Sequence, residues 1–104
     1  MFKVYGSSMC PDCRELKANF DYHKVDYQFI DINASLKNLG EFLYYRDHDP
    51  VFDHWKEIGD IGLPAIVRED GSVFLDWEEY LRANGKEIVY RESGPACHLD
   101  GRGC

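Results

Sequence analysis

Phe2-Lys3-Val4-Tyr5, followed four residues later by Cys10-Pro11-Asp12-Cys13, is the stretch whose reading decides the fold. An apolar run that gives way to two thiols three residues apart reads as a strand entering a helix, with the thiols at the junction. Pro11 cannot donate a backbone hydrogen bond and has its φ fixed, so it suits the first helical position and leaves Cys10 as N-cap. There a Cys10 thiolate meets unpaired backbone N–H groups and the positive end of the helix dipole, both of which favour the anion. Cys13 lies one turn further in, on the same face and less accessible. The spacing therefore assigns attack to Cys10 and resolution to Cys13. The rival reading of C-x-x-C, half of a zinc site, needs two more ligands at compatible spacing. The strand before the motif favours redox chemistry.

Composition bounds the rest. A chain of 104 residues, 44% of them hydrophobic, suits one core. No apolar run approaches the ~20 residues of a membrane span, and the N-terminus lacks a signal-peptide core, so a cytoplasmic location is expected. Without an export signal, the four cysteines point to redox or metal chemistry rather than to a secreted scaffold. A net charge of −7 with no basic cluster excludes nucleic acid and anionic membrane as expected partners.

Outward from the dithiol, Cys13, Leu16, Lys17 and Phe20 follow the spacing of one helical face, and the helix should run from Pro11 to about His23. Tyr27 to Ile32 alternates like a strand with one buried side, which completes a parallel strand–helix–strand unit. Residues 34–60 read as two short helices, with Leu36, Leu39 and Leu43 on one face and Val51, Trp55 and Ile58 on another. Asp47-His48-Asp49-Pro50 breaks the pattern between them. Two apolar runs, Ala65 to Val67 and Ser72 to Leu75, flank Asp70-Gly71, a strong hairpin signal. Asp76 as N-cap with Glu79 three residues on opens a final helix, and Gly85 stops it. The expected organisation is a domain over residues 1–85 and a C-terminal extension over 86–104. In that extension Ile88-Val89-Tyr90 reads either as an edge strand or as a segment packed on the domain.

The order β-α-β-α-β-β-α with C-P-x-C at the first helix resembles the glutaredoxin branch of the thioredoxin fold, over roughly residues 1–84. Gly62-Leu63-Pro64-Ala65-Ile66 stands where glutaredoxins carry Thr-Val-Pro before their third strand. The resemblance implies an α/β fold with a mixed four-stranded sheet and flanking helices. It also implies a cis Leu63–Pro64 bond against the dithiol, with the Leu63 backbone free to pair with substrate. The implied activity is thiol–disulfide oxidoreduction of protein or small-molecule disulfides. No organic cofactor and no metal is required, and a thiol reductant, glutathione or a protein dithiol, supplies the electrons.

Several positions depart from the family pattern. The usual lysine three residues before the first cysteine is Ser7, the tyrosine of C-P-Y-C is Asp12, and the diglycine after the fourth strand is Asp76-Trp77. The basic or amide residue before Thr-Val-Pro is matched by nothing better than Asp60 or Ile61. Glutathione carries two carboxylates, and each lost charge-assisted hydrogen bond is worth ~1.5–3 kcal/mol. Poor glutathione use is therefore expected, against the alternative of a plain glutathione-dependent glutaredoxin. Asp12 near the sulfurs would oppose a Cys10 thiolate and favour a reducing dithiol, whereas an Asp12 turned to solvent would do little.

Other residues offer weaker signals. Cys97 and Cys104 form either a second redox pair, a metal site assisted by His98 and Asp100, or two free thiols. A metal or iron–sulfur module built on Cys10 and those tail cysteines is the alternative from another functional class. His48 and His54 among Asp47, Asp49 and Asp53 read as a solvated turn and helix face rather than a cation site. Tyr44, Tyr45, Phe52 and Trp55 read as packing, and the long bridge over residues 34–60 as a surface beside the active site.

Overall fold

Neighbouring residues of a strand point to opposite faces of its sheet, and the first strand, β1 (Phe2–Gly6), buries both sides. The computed structural model describes residues 1–90. In it Val4 joins Leu16, Phe20, Ile66, Trp77 and Leu81 on one face of the sheet. Tyr5 joins Ile30, Phe42, Phe52, Ala65 and Val67 on the other. The elements after β1 are α1 (Pro11–Tyr22), β2 (Tyr27–Asp31), α2 (Leu36–His48), a 3₁₀ turn (Pro50–Phe52), α3 (Asp53–Glu57), β3 (Ala65–Val67), β4 (Val73–Phe74) and α4 (Trp77–Ala83).

The sheet has the order β2-β1-β3-β4. β1 pairs parallel with β2, Phe2 opposite Tyr27, and antiparallel with β3, Tyr5 opposite Ala65. β3 and β4 form the hairpin that Asp70-Gly71 announces, with Val67 opposite Val73 and Gly71 at φ +88°. Through Leu16, Phe20, Trp77 and Leu81, α1 and α4 cover one face; Phe42 of α2 and Phe52 of the 3₁₀ turn cover the other. This is the mixed sheet with flanking helices that the resemblance implies, a thioredoxin-like α/β fold of the glutaredoxin type.

Two expectations change. β2 packs residues on both faces, with Gln28 left exposed: Ile30 enters the Tyr5 cluster while Tyr27 and Phe29 pack against the Val4 cluster. The sheet is covered by helices on both sides, so its strands need not alternate apolar with polar. On α2 the inward residue is Phe42 rather than the leucine stripe, and Leu36 is 86% exposed. An aromatic ring buries more area than an isobutyl group, and Phe42 sets the rotation by its contact with Phe52, ring centroids 5.9 Å apart.

Three helices end in the same device. At α1, Lys24 N–H donates to the Asp21 carbonyl and Val25 N–H to that of Phe20, with Lys24 at φ +57°. Gly59 closes α3 and Gly85 closes α4 with the equivalent bonds, at φ +76° and +71°. Beyond Gly85, residues 86–90 make no strand pairing. Ile88 packs on the Val4 face, and the Asn19 side chain holds Val89 by both polar groups. Its amide donates to the Val89 carbonyl at 2.8 Å, and its oxygen accepts the Val89 N–H at 2.8 Å.

Candidate active site

Cys10 occupies the N-cap of α1 with extended backbone, φ −94° and ψ 118°, and Pro11 stands at the first helical position. The turn into it is fixed by Ser7, whose carbonyl accepts the Cys10 N–H at 3.1 Å. The Ser7 hydroxyl accepts the Met9 N–H at 3.1 Å and donates to Asn33. Ser7 is buried with its hydroxyl engaged on both sides, so the position that carries a lysine in glutaredoxins is here a structural turn residue.

The two thiols are unequal. Cys10 is 3% exposed and lines a groove, whereas Cys13 is wholly buried behind it. The Cys13 N–H donates to Cys10 Sγ at 3.4 Å. Cys10 is held below its ordinary pKa, chiefly by a hydrogen bond from the Cys13 thiol. Burial opposes this, the backbone N–H groups of Cys13 and Asp12 assist, and the Asp12 charge opposes. Cys13 is pushed far up by the same hydrogen bond, by burial and by the neighbouring Cys10 charge. Of the two, Cys10 is the thiol disposed to ionise first.

Close approach of β1 to the dithiol depends on Gly6. A Cβ there would stand 2.9 Å from Cys13 Sγ, shorter than real Cβ contacts, and 3.0 Å from the Phe29 ring, which would have to give way. The register that pairs Tyr5 with Ala65, carried one residue on, sets Pro64 beside Gly6. The Leu63–Pro64 peptide bond is cis, and Pro64 is fully buried. Leu63 is half-buried and lines the groove with Cys10.

The groove holds about 470 Å³. Its apolar walls are Val51, Trp55, Leu63, Phe74, Leu75 and Trp77. Its polar side chains are Asp12, Asp60, Asp76 and Glu78. Asp12 is half-buried, and its carboxylate accepts the Trp77 indole N–H at 3.3 Å. It is thus neither free in solvent nor without effect, since its charge raises both thiols. Asp76 caps α4 by accepting the Glu79 N–H at 3.0 Å, and Glu78 accepts from the Tyr90 hydroxyl.

Cys10, Asp12 and Leu63 share this groove, with Pro11 and Pro64 built into the backbone around them; Cys97 and Cys104 lie outside the described residues. Among the described residues no three of His, Cys, Asp or Glu gather as a metal-holding group. No helix among them is long and apolar enough to cross a membrane. Gly6 and the Asp12–Trp77 hydrogen bond went unread in the sequence, as did the place of Val51 and Trp55 in the groove wall. A glycine ending the strand before a dithiol was the available signal for the first. The others depend on residues far apart in the chain.

The glutaredoxin family model matches residues 2–43, which span β1, α1, β2 and the dithiol between them. An uncharacterized protein of Haemophilus influenzae is similar over 73 residues at 37% identity, covering 70% of this chain and 85% of that protein. With the sheet order and the N-capping cysteine, these likenesses establish that the chain belongs to the glutaredoxin family.

Proposed function

We propose that the protein is a dithiol thiol–disulfide oxidoreductase that reduces disulfides through Cys10 and Cys13. The inequality of the two thiols carries this reading: the stabilised thiolate lines the groove and the proton-holding thiol lies behind it. The Cys10 thiolate attacks one sulfur of a substrate disulfide, forming a mixed disulfide, and the other sulfur leaves as a thiolate that takes up a proton. Cys13 loses its proton and attacks Cys10 Sγ. The Cys10–Cys13 disulfide forms and the second substrate sulfur departs as thiol. Two electrons pass from the dithiol to the substrate, and an external thiol restores the dithiol. Pro64 and the Leu63 backbone position the substrate chain beside Cys10.

The electron donor is a dithiol rather than glutathione. Buried Ser7, Asp12 and the Asp76-Trp77 pair stand where the family holds the tripeptide, and none offers a cation to its carboxylates.

Cys10→Ser should abolish disulfide reduction. Cys13→Ser should stall at the mixed disulfide, visible as a mass increase equal to one substrate half. Preferential alkylation of Cys13 in the native reduced protein would reverse the assignment. Turnover with glutathione as fast as with dithiothreitol would make this a plain glutathione-dependent glutaredoxin.

A further inference from the structure

Among the described residues, the groove beside Cys10 is lined by four carboxylates, Asp12, Asp60, Asp76 and Glu78, and by no lysine, arginine or histidine. The other lining side chains are apolar. Cations stand behind this wall without lining the groove: Arg46 donates at 2.6 Å to the backbone carbonyl of Asp60, and Arg82 acts on Tyr90, the donor to Glu78. A charged wall in a half-enclosed, low-dielectric groove focuses its potential on whatever enters. Resting on the oxidoreductase reading above, we propose that the groove selects its substrate by charge: it admits a disulfide-bearing segment of a partner protein in which lysine or arginine flanks the half-cystine.

The chemistry of the walls suits such a segment. Lysine and arginine side chains lay their methylene stems along apolar surface while their heads seek carboxylates. Val51 and Trp55 supply that surface, and the Trp55 face also attracts cations. An acidic flank meets the same carboxylates with repulsion. The redox step is the one already described, so the basic segment changes only how readily the disulfide reaches Cys10.

The test compares peptides whose single cysteine is flanked by lysine, alanine or glutamate, each carried as a mixed disulfide with 2-thiopyridone. Attack on the peptide sulfur releases the chromophore. Each rate is divided by that of dithiothreitol alone with the same peptide, which removes the intrinsic effect of the flanks. At low ionic strength the lysine peptide should outpace the glutamate peptide by about tenfold or more. At about 0.5 M salt the ratio should shrink towards two, because screening shortens the reach of the field. The combined variant Asp60→Asn, Asp76→Asn and Glu78→Gln keeps side-chain size and capping groups and should bring the ratio close to one. A second variant, Asp26→Asn, Asp47→Asn and Glu57→Gln, removes the same number of charges from exposed positions outside the groove and should keep the preference.

A ratio below two in the unmodified protein, or an equal loss in both variants, would overturn the proposal while leaving the oxidoreductase reading intact. Absence of any turnover would sink that reading instead. Binding of the same peptides with serine for cysteine, followed by Trp55 and Trp77 fluorescence, then decides the charge preference by itself. Tighter binding of the lysine peptide supports it, and equal or weaker binding refutes it.

Discussion

Asp12 adjoins Cys13 and stands two residues from Cys10, so its charge bears on both sulfurs and helps each hold its proton. Its carboxylate is anchored by Trp77 Nε1 at 3.3 Å and raises the pKa of both Cys10 and Cys13. Asp12→Asn removes that charge and should lower the Cys10 pKa, stabilise the dithiol form and make the reduction potential less negative. Equilibration against a dithiothreitol redox buffer measures the shift, and an unchanged potential would mean that the carboxylate is screened. Gly6 acts by absence of a side chain. Gly6→Ala should cost about 1–3 kcal/mol through overpacking. It should also displace Cys13 from Cys10, weakening the largest cause of Cys10's lowered pKa. Slower iodoacetamide alkylation of Cys10 at neutral pH, alongside a lower urea midpoint, is the expected pair of results.

At the scale of elements, helix ends are the most instructive. Gly59 and Gly85 take the left-handed residue of their terminating motifs, whereas α1 places Lys24 in that conformation at φ +57°. A side chain there costs on the order of 1 kcal/mol relative to glycine. Lys24 is exposed, so Lys24→Gly should raise stability by about 0.5–1 kcal/mol, read as a higher urea midpoint with an unchanged slope. The Gly85 stop, the Asp70-Gly71 turn and the Cys10 N-cap were all legible in the sequence because each is decided within a few residues. The rotation of α2 was not, since Leu36, Leu39 and Leu43 make as good a stripe as the one built on Phe42. Only the facing Phe52 chooses between them. The site divides the same way: Cys10 and Cys13 were readable as neighbours in the chain. The opposite wall of Val51, Trp55 and Phe74 exists only once the 3₁₀ turn, α3 and β4 are folded beside them.

Among the described residues, three tyrosine hydroxyls donate to carboxylates. Tyr5 donates to Glu41 at 3.0 Å, Tyr27 to Asp21 at 2.8 Å, and Tyr90 to Glu78. Burial first, and then these acceptors, raise all three pKa values, Tyr90 to about 12. The folded protein therefore holds these protons beyond the pH at which the unfolded chain releases them. Their contribution to stability is complete below pH about 10 and is lost as pH rises past it. Urea midpoints between pH 9 and 11.5 should fall with rising pH, and Tyr5→Phe should flatten the fall. A midpoint constant across that range would contradict the assignment. The pair of hydrogen bonds between Asn19 and Val89 has a different consequence. Because the Val89 amide hydrogen is satisfied by a side chain of α1, it exchanges with solvent deuterium only when that helix and the segment after Gly85 part. One backbone proton, far along the chain from the thiols, thus keeps time for the departure of that segment from the helix that carries them.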